Sequence, residues 1–381
     1  NTLGRKIDII GHDVCLGGQF ETHYQVRDYV DISIASPDNE PFDGWDYEGP
    51  FINLKANPDM SPEELAYQIV EYYYNWYGPD PYCCNTQAAV DLRLMQSVFM
   101  PAFHDFNETL IRNMMDYRFE LLVHKASAEM YQNPNYDLWN FAENLANDSR
   151  LTQEIRDAAS NLVDALDSTV IHQRTANYTH GKGNTIWFPD NYSMHSDVGD
   201  YQTKIDFNKT NWPRLLRALA GELLVENLEL SEGYVDSPYY QEFTAVNGTH
   251  PFTWEHVSGQ LPYGVSFTNG DTAYISGTPT YATEYGFTLK VTDSSVPPKT
   301  TTQVFSVTVK QHPYTTGDAN YDGSVDVGDA VFLINYIFLN GTPPEPFELG
   351  DVNCDGILNL VDVIYIINYI FRDGPPPCQS F

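Results

Sequence analysis

Ile7-Asp8-Ile9-Ile10-Gly11-His12-Asp13-Val14-Cys15-Leu16-Gly17-Gly18 decides how the first half of the chain is read. Ile7, Ile9 and Ile10 make a short apolar, β-prone run of the length of a buried strand. The run stops at Gly11, and Cys15 follows four residues later. Gly17 and Gly18 then lead into an amphipathic segment, Gln19 to Asp28. The order is strand, thiol-bearing turn, helix. Sites in open α/β sheets lie just beyond the carboxyl ends of strands. A cysteine near a helix N-terminus also has its thiolate favoured by the helix dipole. The plain alternative is that Cys15 packs as a small hydrophobe, as most free cysteines do.

Working outward, Asp31 to Ser36 reads as a second strand, and Pro37-Asp38-Asn39-Glu40-Pro41-Phe42-Asp43-Gly44-Trp45 as an acidic, aromatic loop. Together, Asp8 to Trp45 resembles the clostripain-like cysteine peptidases, which share the caspase and gingipain type of fold. Asp13, Cys15, Gly17, Ser36, Glu40, Pro41, Gly44 and Trp45 stand at that family's motif positions. Looser matches continue to about residue 220: Ser61 to Leu65, Asp91-Leu92, Asp137 to Ala142 and Gly183 to Pro189. The resemblance implies an α/β caspase-like partial domain over 1–235 with Cys15 as nucleophile. It makes Asp13 the floor of a pocket for a basic side chain, with Glu40 and Asp43 on the wall. An acidic pocket suits arginine, which a carboxylate binds through two parallel hydrogen bonds.

The family's partner histidine sits in a His-Gly on an earlier strand, and only 14 residues precede Cys15 here. The resemblance therefore implies either a separate light chain carrying the histidine, as in clostripain itself, or a truncated sequence. His12 is nearest to Cys15 in sequence, but three positions away around a strand end its ring is expected to miss the thiol. His180, before a Gly-Lys-Gly loop, is expected to be solvated.

Ser61-Pro62-Glu63-Glu64 is a helix start, with a capping Ser, Pro in the first turn and Glu three residues after the cap. The helix is predicted to reach about Tyr77, with Leu65, Ile69, Tyr72 and Trp76 on its packed face. Further helices are predicted over 95–126, 136–146 and 152–167, and strands over 169–173 and 185–188. The last helix of the unit is expected to start at Asn211-Trp212-Pro213.

From about Gln241 the texture changes to short Thr-, Val- and Tyr-rich runs between Gly, Pro and Asn turns, an all-β signature. Leu261-Pro262-Tyr263-Gly264, Gly277-Thr278-Pro279 and Tyr285 to Asp293 resemble a bacterial immunoglobulin-like repeat, a cadherin-like sandwich, over 241–310. That resemblance implies a spacer or adhesive module. Asp293 alone is not a calcium site.

The end of the chain repeats itself. Asp318, Asn320, Asp322, Gly323, Ser324, Asp326 and Asp329 recur 33 residues later as Asp351, Asn353, Asp355, Gly356, Ile357, Asn359 and Asp362. Each set is a twelve-residue loop with oxygens at positions 1, 3, 5, 9 and 12 and Gly at 6, the EF-hand pattern for Ca2+. Ser324 and Ile357 fill position 7, where a backbone carbonyl serves. Position 12 is Asp rather than Glu. An apolar helix follows each loop and none precedes it. This layout resembles a type I dockerin over 315–381, which implies two calcium ions and a cohesin-type partner. Cohesin-binding dockerins carry hydroxyl residues at loop positions 10 and 11. Here Val327-Gly328 and Leu360-Val361 stand there, which leaves a different cohesin or a calcium-stabilised cap. Cys354 inside the second loop and Cys378 after Pro375-Pro376-Pro377 are predicted to form a disulfide, placing the chain outside the reducing cytoplasm.

A formal charge of −32 argues against nucleic acid and anionic membranes as partners. No apolar run reaches the length of a membrane span. Without an initiator Met or signal segment, the chain is expected to be processed or truncated at its start. Five cysteines leave at least one unpaired within the chain, which fits a reactive Cys15. A vicinal disulfide between Cys83 and Cys84 would be strained, which favours separate thiols or other pairings. The sequence therefore reads as a multidomain bacterial protein, extracellular or on the cell surface. It is either a secreted cysteine endopeptidase acting on protein or peptide substrates, or a non-catalytic adhesion protein on a degenerate peptidase scaffold.

Overall fold

The computed structural model describes residues 4–78, 85–176, 178–183, 185–311 and 315–378; Cys83, Cys84 and Asn184 lie outside them. The chain divides into two compact units, Asn1–Leu224 and Val225–Phe381.

The first unit is built on a four-stranded sheet ordered β1 (Ile7–His12), β2 (Val30–Ala35), β3 (Thr86–Asp91), β6 (Val170–Thr175). Only β1 and β2 run parallel, joined across α1 (Phe20–Val26); β2–β3 and β3–β6 are antiparallel. The strand expected to end at Gly11 stays paired for one more residue, His12 opposite Ala35. The middle strands carry the core: Ile32, Ile34, Ala88, Ala89 and Val90 are buried. A second, antiparallel sheet of β4 (Met130–Gln132), β5 (Asn135–Asp137) and β7 (Thr185–Trp187) is bridged to the first turn by Gln19 opposite Thr185.

α2 (Glu48–Ala56) and α3 (Pro62–Tyr77) follow β2. The Ser61 Oγ accepts from the Glu64 N–H and caps α3 as its sequence dictates. Its buried face is Ala66, Val70 and Tyr73, one position on from the face read from spacing, and Trp76 is exposed. Small Ala66 lets α3 lie close over Ile32, Ile34 and Ala89 of the sheet, and the longer side chains flank that contact.

The helix predicted over 95–126 is three pieces: a π-helical turn Met95–Phe99, α4 (Met100–Arg112) and α5 (Met114–Ser127). Pro101, which has no N–H to donate back to the preceding turn, follows directly on the π-helical turn. The run breaks at Asn113, whose backbone leaves helical geometry (φ −94°, ψ 7°) while its N–H and its Nδ2 both donate to the Thr109 carbonyl. α6 (Leu138–Ala146) and α7 (Gln153–Thr169) are capped by Asp137 and Thr152. α8 (Val198–Lys204) and α9 (Trp212–Leu219) complete the unit, with Trp212 buried and its Nε1–H donated to the Trp187 carbonyl.

In the second unit, strands 239–243, 273–277 and 265–268 form one sheet and 253–259, 284–292, 300–310 and 233–234 a larger one, beside a short pair of 224–225 with 245–246. Strict alternation buries Tyr285, Phe287, Leu289 and Val291 on one face of their strand. The Phe305 ring packs against Phe243 and Phe287 at 4.9 and 5.4 Å. Asp293 is buried and serves the backbone: it accepts from the N–H groups of Thr249 and Lys299 and from the Ser295 hydroxyl. After them, α10 (Val327–Leu339) and α11 (Leu360–Phe371) pack together over a duplicated core. Its members pair across the repeat: Ala319 with Val352, Ala330 with Val363, Leu333 with Ile366.

Candidate functional site

The turn from β1 to α1 is held by the loop that follows β2. The Leu16 N–H donates to the Asp38 carbonyl at 2.9 Å, and the Gly18 N–H to the Ser36 carbonyl at 2.7 Å. A Cβ on Gly18 would stand 2.7 Å from the Pro37 nitrogen, so glycine is required for this approach. Leu16 takes a φ of 60°, a conformation uncommon outside glycine, immediately after Cys15. The turn therefore presents Cys15 outward, exposed and with a free thiol.

α1 starts where the sequence places it, with Gln19 as its N-cap and Phe20 its first helical residue. The donor that meets the sulfur comes instead from the opposite loop: the Glu40 N–H points at Cys15 Sγ from 3.3 Å. Sequence reading missed this contact because 25 residues separate the two groups.

Asp13 and Glu40 meet beside the thiol. The Tyr47 hydroxyl donates to Asp13, and Trp45 Nε1–H to Glu40 Oε1 at 2.9 Å. The Glu40 Oε2 is buried and has no hydrogen-bond partner. Burial, with Asp13 opposing, pushes the Glu40 carboxyl up to about 8 despite the Trp45 donor. Gly44 has a φ of 70°, and a Cβ there would lie 2.8 Å from Asp13 Oδ2. Asp43 is exposed and makes no hydrogen bond or ion pair among the described residues, so the structure does not bring it to the pair.

The loop is anchored from behind by residues that the sequence did not single out. Asp38 is buried and accepts from Gln132 Nε2 at 2.8 Å and from the Tyr178 hydroxyl. The Tyr77 hydroxyl at the end of α3 donates to the Gly44 carbonyl. Tyr47 lies two residues beyond Trp45, so reading the loop a little further would have reached it.

No imidazole among the described residues hydrogen-bonds Cys15. His12 Nε2 is buried without a partner, and burial lowers the ring's pKa. His23 is fully buried with Nδ1 against the Ser33 hydroxyl at 3.0 Å; burial, then His12, brings it down to about 3. His180 is exposed and uses its backbone N–H on Glu129.

The duplicated loops have matching geometry. Asp318 accepts from the N–H groups of Asp322 and Gly323, and Asp351 from those of Asp355 and Gly356. The sixth-position glycines have φ of 91° and 80°, as the sharp turn demands. Tyr321 and Cys354, at position 4, are both left-handed. Asp326 and Asn359 cap α10 and α11, with Asp329 and Asp362 completing capping boxes. Cys354 is bonded to Cys378, with Cα atoms 6.1 Å apart. The Cys378 N–H reaches the Val352 carbonyl, which ties the terminus to the second loop.

These residues fit a hard cation. The donors are all oxygen, Asp329 and Asp362 are fully buried, and Asp362 Oδ1 has no partner. Burial and the neighbouring carboxylates raise Asp329 and Asp362 above the usual carboxyl range, a repulsion that a divalent ion relieves. Among the described residues, no group of three or more His, Cys, Asp or Glu forms a ready-made metal cage. Asn320, Asn353, the position-7 carbonyls of Ser324 and Ile357, and water would supply the remaining oxygens.

Comparison with known proteins gives three family matches. The model described as "Clostripain family" matches residues 2–219, "Putative Ig domain" residues 223–310, and "Dockerin type I domain" residues 316–373. No curated protein matches. Among solved structures, a B. fragilis cysteine protease is 16% identical, with 55% of this chain and 88% of that chain covered and a TM-score of 0.41. A Bacteroides thetaiotaomicron clostripain in complex with a peptide inhibitor is 18% identical, with 56% and 89% covered and a TM-score of 0.38. For an inactive zymogen C11 protease from Parabacteroides distasonis the figures are 16%, 54% and 58%, with a TM-score of 0.39, so this chain spans little more than half of that one. Among the described residues, no helix is long and apolar enough to cross a membrane.

Proposed function

The chain belongs to the clostripain family, carries an Ig-like and a type I dockerin domain after its peptidase unit, and on that premise we propose that it is the thiol-bearing part of a secreted bacterial endopeptidase cutting after Arg or Lys. The observation that carries this is the turn itself: an exposed Cys15 with an amide hydrogen directed at its sulfur, beside the convergent carboxylates of Asp13 and Glu40. In the reaction, Cys15 Sγ attacks the carbonyl of the scissile peptide, the amine leaves, and water hydrolyses the acyl-enzyme. Asp13 and Glu40 hold the basic side chain before the cut.

A base within reach of the thiol completes such a site. None of the histidines described here fills that role, so the chain alone should not hydrolyse an arginyl amide. The missing base is proposed to come from a light chain. Hydrolysis by the purified chain, lost in Cys15→Ala, would contradict this. Once the chain is supplied with such a light chain, Asp13→Asn should weaken cleavage after Arg and Lys selectively. Equal loss on all substrates would count against the pocket.

The dockerin domain is proposed to bind two calcium ions and to dock on a cohesin-type partner, with the Ig-like domain as spacer. The disulfide in the dockerin domain supports an extracellular setting. A second reading, a non-catalytic surface protein on the same scaffold, is favoured by one observation, that no imidazole among the described residues hydrogen-bonds Cys15. Its mark would be a chain that, supplied with a light chain, binds arginyl peptides without cutting them.

A further inference from the structure

Glu40 is the most unusual group in the pocket. One carboxylate oxygen takes the Trp45 indole N–H, while the other is buried with no donor to bond, and the Asp13 carboxyl lies within side-chain reach of the group. A buried, unpaired carboxylate oxygen is costly unless it carries a proton or meets a cation. No cation is at hand: among the described residues, neither Asp13 nor Glu40 forms an ion pair. The groups facing the pair are themselves acidic or neutral. Tyr47 donates its hydroxyl to Asp13, and that bond, burial and the two carboxylates push the phenol up to about 12, so it stays a donor. Cys15 touches Glu40 only through the backbone.

We propose that the Asp13–Glu40 pair holds one proton while the pocket is empty and releases it when an arginyl or lysyl side chain enters, so that recognition of the basic residue is coupled to loss of a proton. The proton leaves Glu40 for solvent, and the guanidinium or ammonium takes its place against Glu40 Oε2 and Asp13. The proposal rests on the pocket reading above and adds its regulation: affinity for a basic side chain falls as pH falls. The sign follows from linkage. The bound state carries fewer protons than the free state, so acid favours the empty pocket, through the range around 8 to which Glu40 is raised.

The test is calorimetric titration of the chain with N-acetyl-L-arginine amide, in phosphate and in Tris, whose different ionisation heats count the protons released. About one proton should leave per amide bound at pH 7, and affinity should rise roughly fifty-fold from pH 6 to pH 8. Glu40→Gln should abolish the release and flatten the pH profile while Asp13 still selects arginine over its neutral isostere N-acetyl-L-citrulline amide. Circular dichroism of each variant confirms that it is folded. Binding of the arginine amide with no proton release, or with an affinity independent of pH, overturns the coupling and leaves the pocket standing. Absence of binding between pH 6 and pH 9 by the folded chain overturns the pocket and the coupling with it.

Discussion

The thiol turn of the first unit and the duplicated loops of the second are both acidic sites, but they are assembled in opposite ways. Each terminal loop gathers its oxygens within twelve residues, and the second copy repeats the first, down to the left-handed residue at position 4. The thiol turn depends on groups that meet from a distance: Glu40 on Cys15, Tyr47 on Asp13, Tyr178 on Asp38. A site built from one short segment is set by spacing alone. A site built across loops needs the sheet beneath it, and so depends on the packing of β1, β2 and α3.

The widest gap between the two should appear on removing calcium. The terminal loops concentrate carboxylates with one basic side chain, Arg372, in the two repeats, so EDTA should unfold the 315–378 module and leave the peptidase unit intact. With calcium a thousand times above its dissociation constant, each site should contribute about 4 kcal/mol. Two separate melting transitions, only one of them moved by calcium, would establish the contrast. A melting curve indifferent to EDTA would break it.

The disulfide sharpens the same point. It closes a segment of 24 residues onto the second loop. Cys378→Ser should cost about 3 kcal/mol of stability in that module. Calcium titration of the variant should show a weakened second site beside an unchanged first one.

For the thiol turn, the corresponding perturbation is steric. Gly18→Ala puts a methyl group against the Pro37 backbone and should cost about 1–3 kcal/mol. Thermal unfolding of the peptidase unit reads the loss, and an unchanged midpoint would show that turn and loop are not locked together.

The smallest effect concerns Asp293, an acid that binds backbone rather than metal. Burial pushes its carboxyl up, but the Ser295 hydroxyl and the N–H groups of Lys299, Thr249 and Ser295 outweigh it and bring it to about 2. Its native value lies below the ordinary aspartate value, so the stability it confers is present above about pH 4 and fades as pH falls toward 2. Asp293→Asn should flatten that acid limb of the Ig-like domain's unfolding curve, and calcium should not affect it.

How much was legible follows the same division. The duplicated loop geometry, the Ser61 cap and the Cys354–Cys378 bond rest on local spacing or on few alternatives, and each could be written down from the sequence. The packed face of α3 could not be placed to the residue, because Leu65 and Ala66 lie on adjacent parts of one helix surface and the sheet decides which faces inward. The break at Asn113 is a turn of the backbone at one polar residue whose side-chain amide folds back on the Thr109 carbonyl, and hydrophobic periodicity carries no mark of it. The amide hydrogen on Cys15 belongs to a residue whose own motif role was thought to lie in its side chain.

The most direct test of the account is selective alkylation of Cys15. Tosyl-lysyl chloromethyl ketone and tosyl-phenylalanyl chloromethyl ketone react with a thiol alike but differ in the side chain that a pocket would hold. Mass spectrometry should show Cys15 labelled faster by the lysyl reagent, and Asp13→Asn should erase the preference. Equal labelling by the two reagents in the unaltered chain would contradict the claim that this turn delivers a basic residue to its thiol.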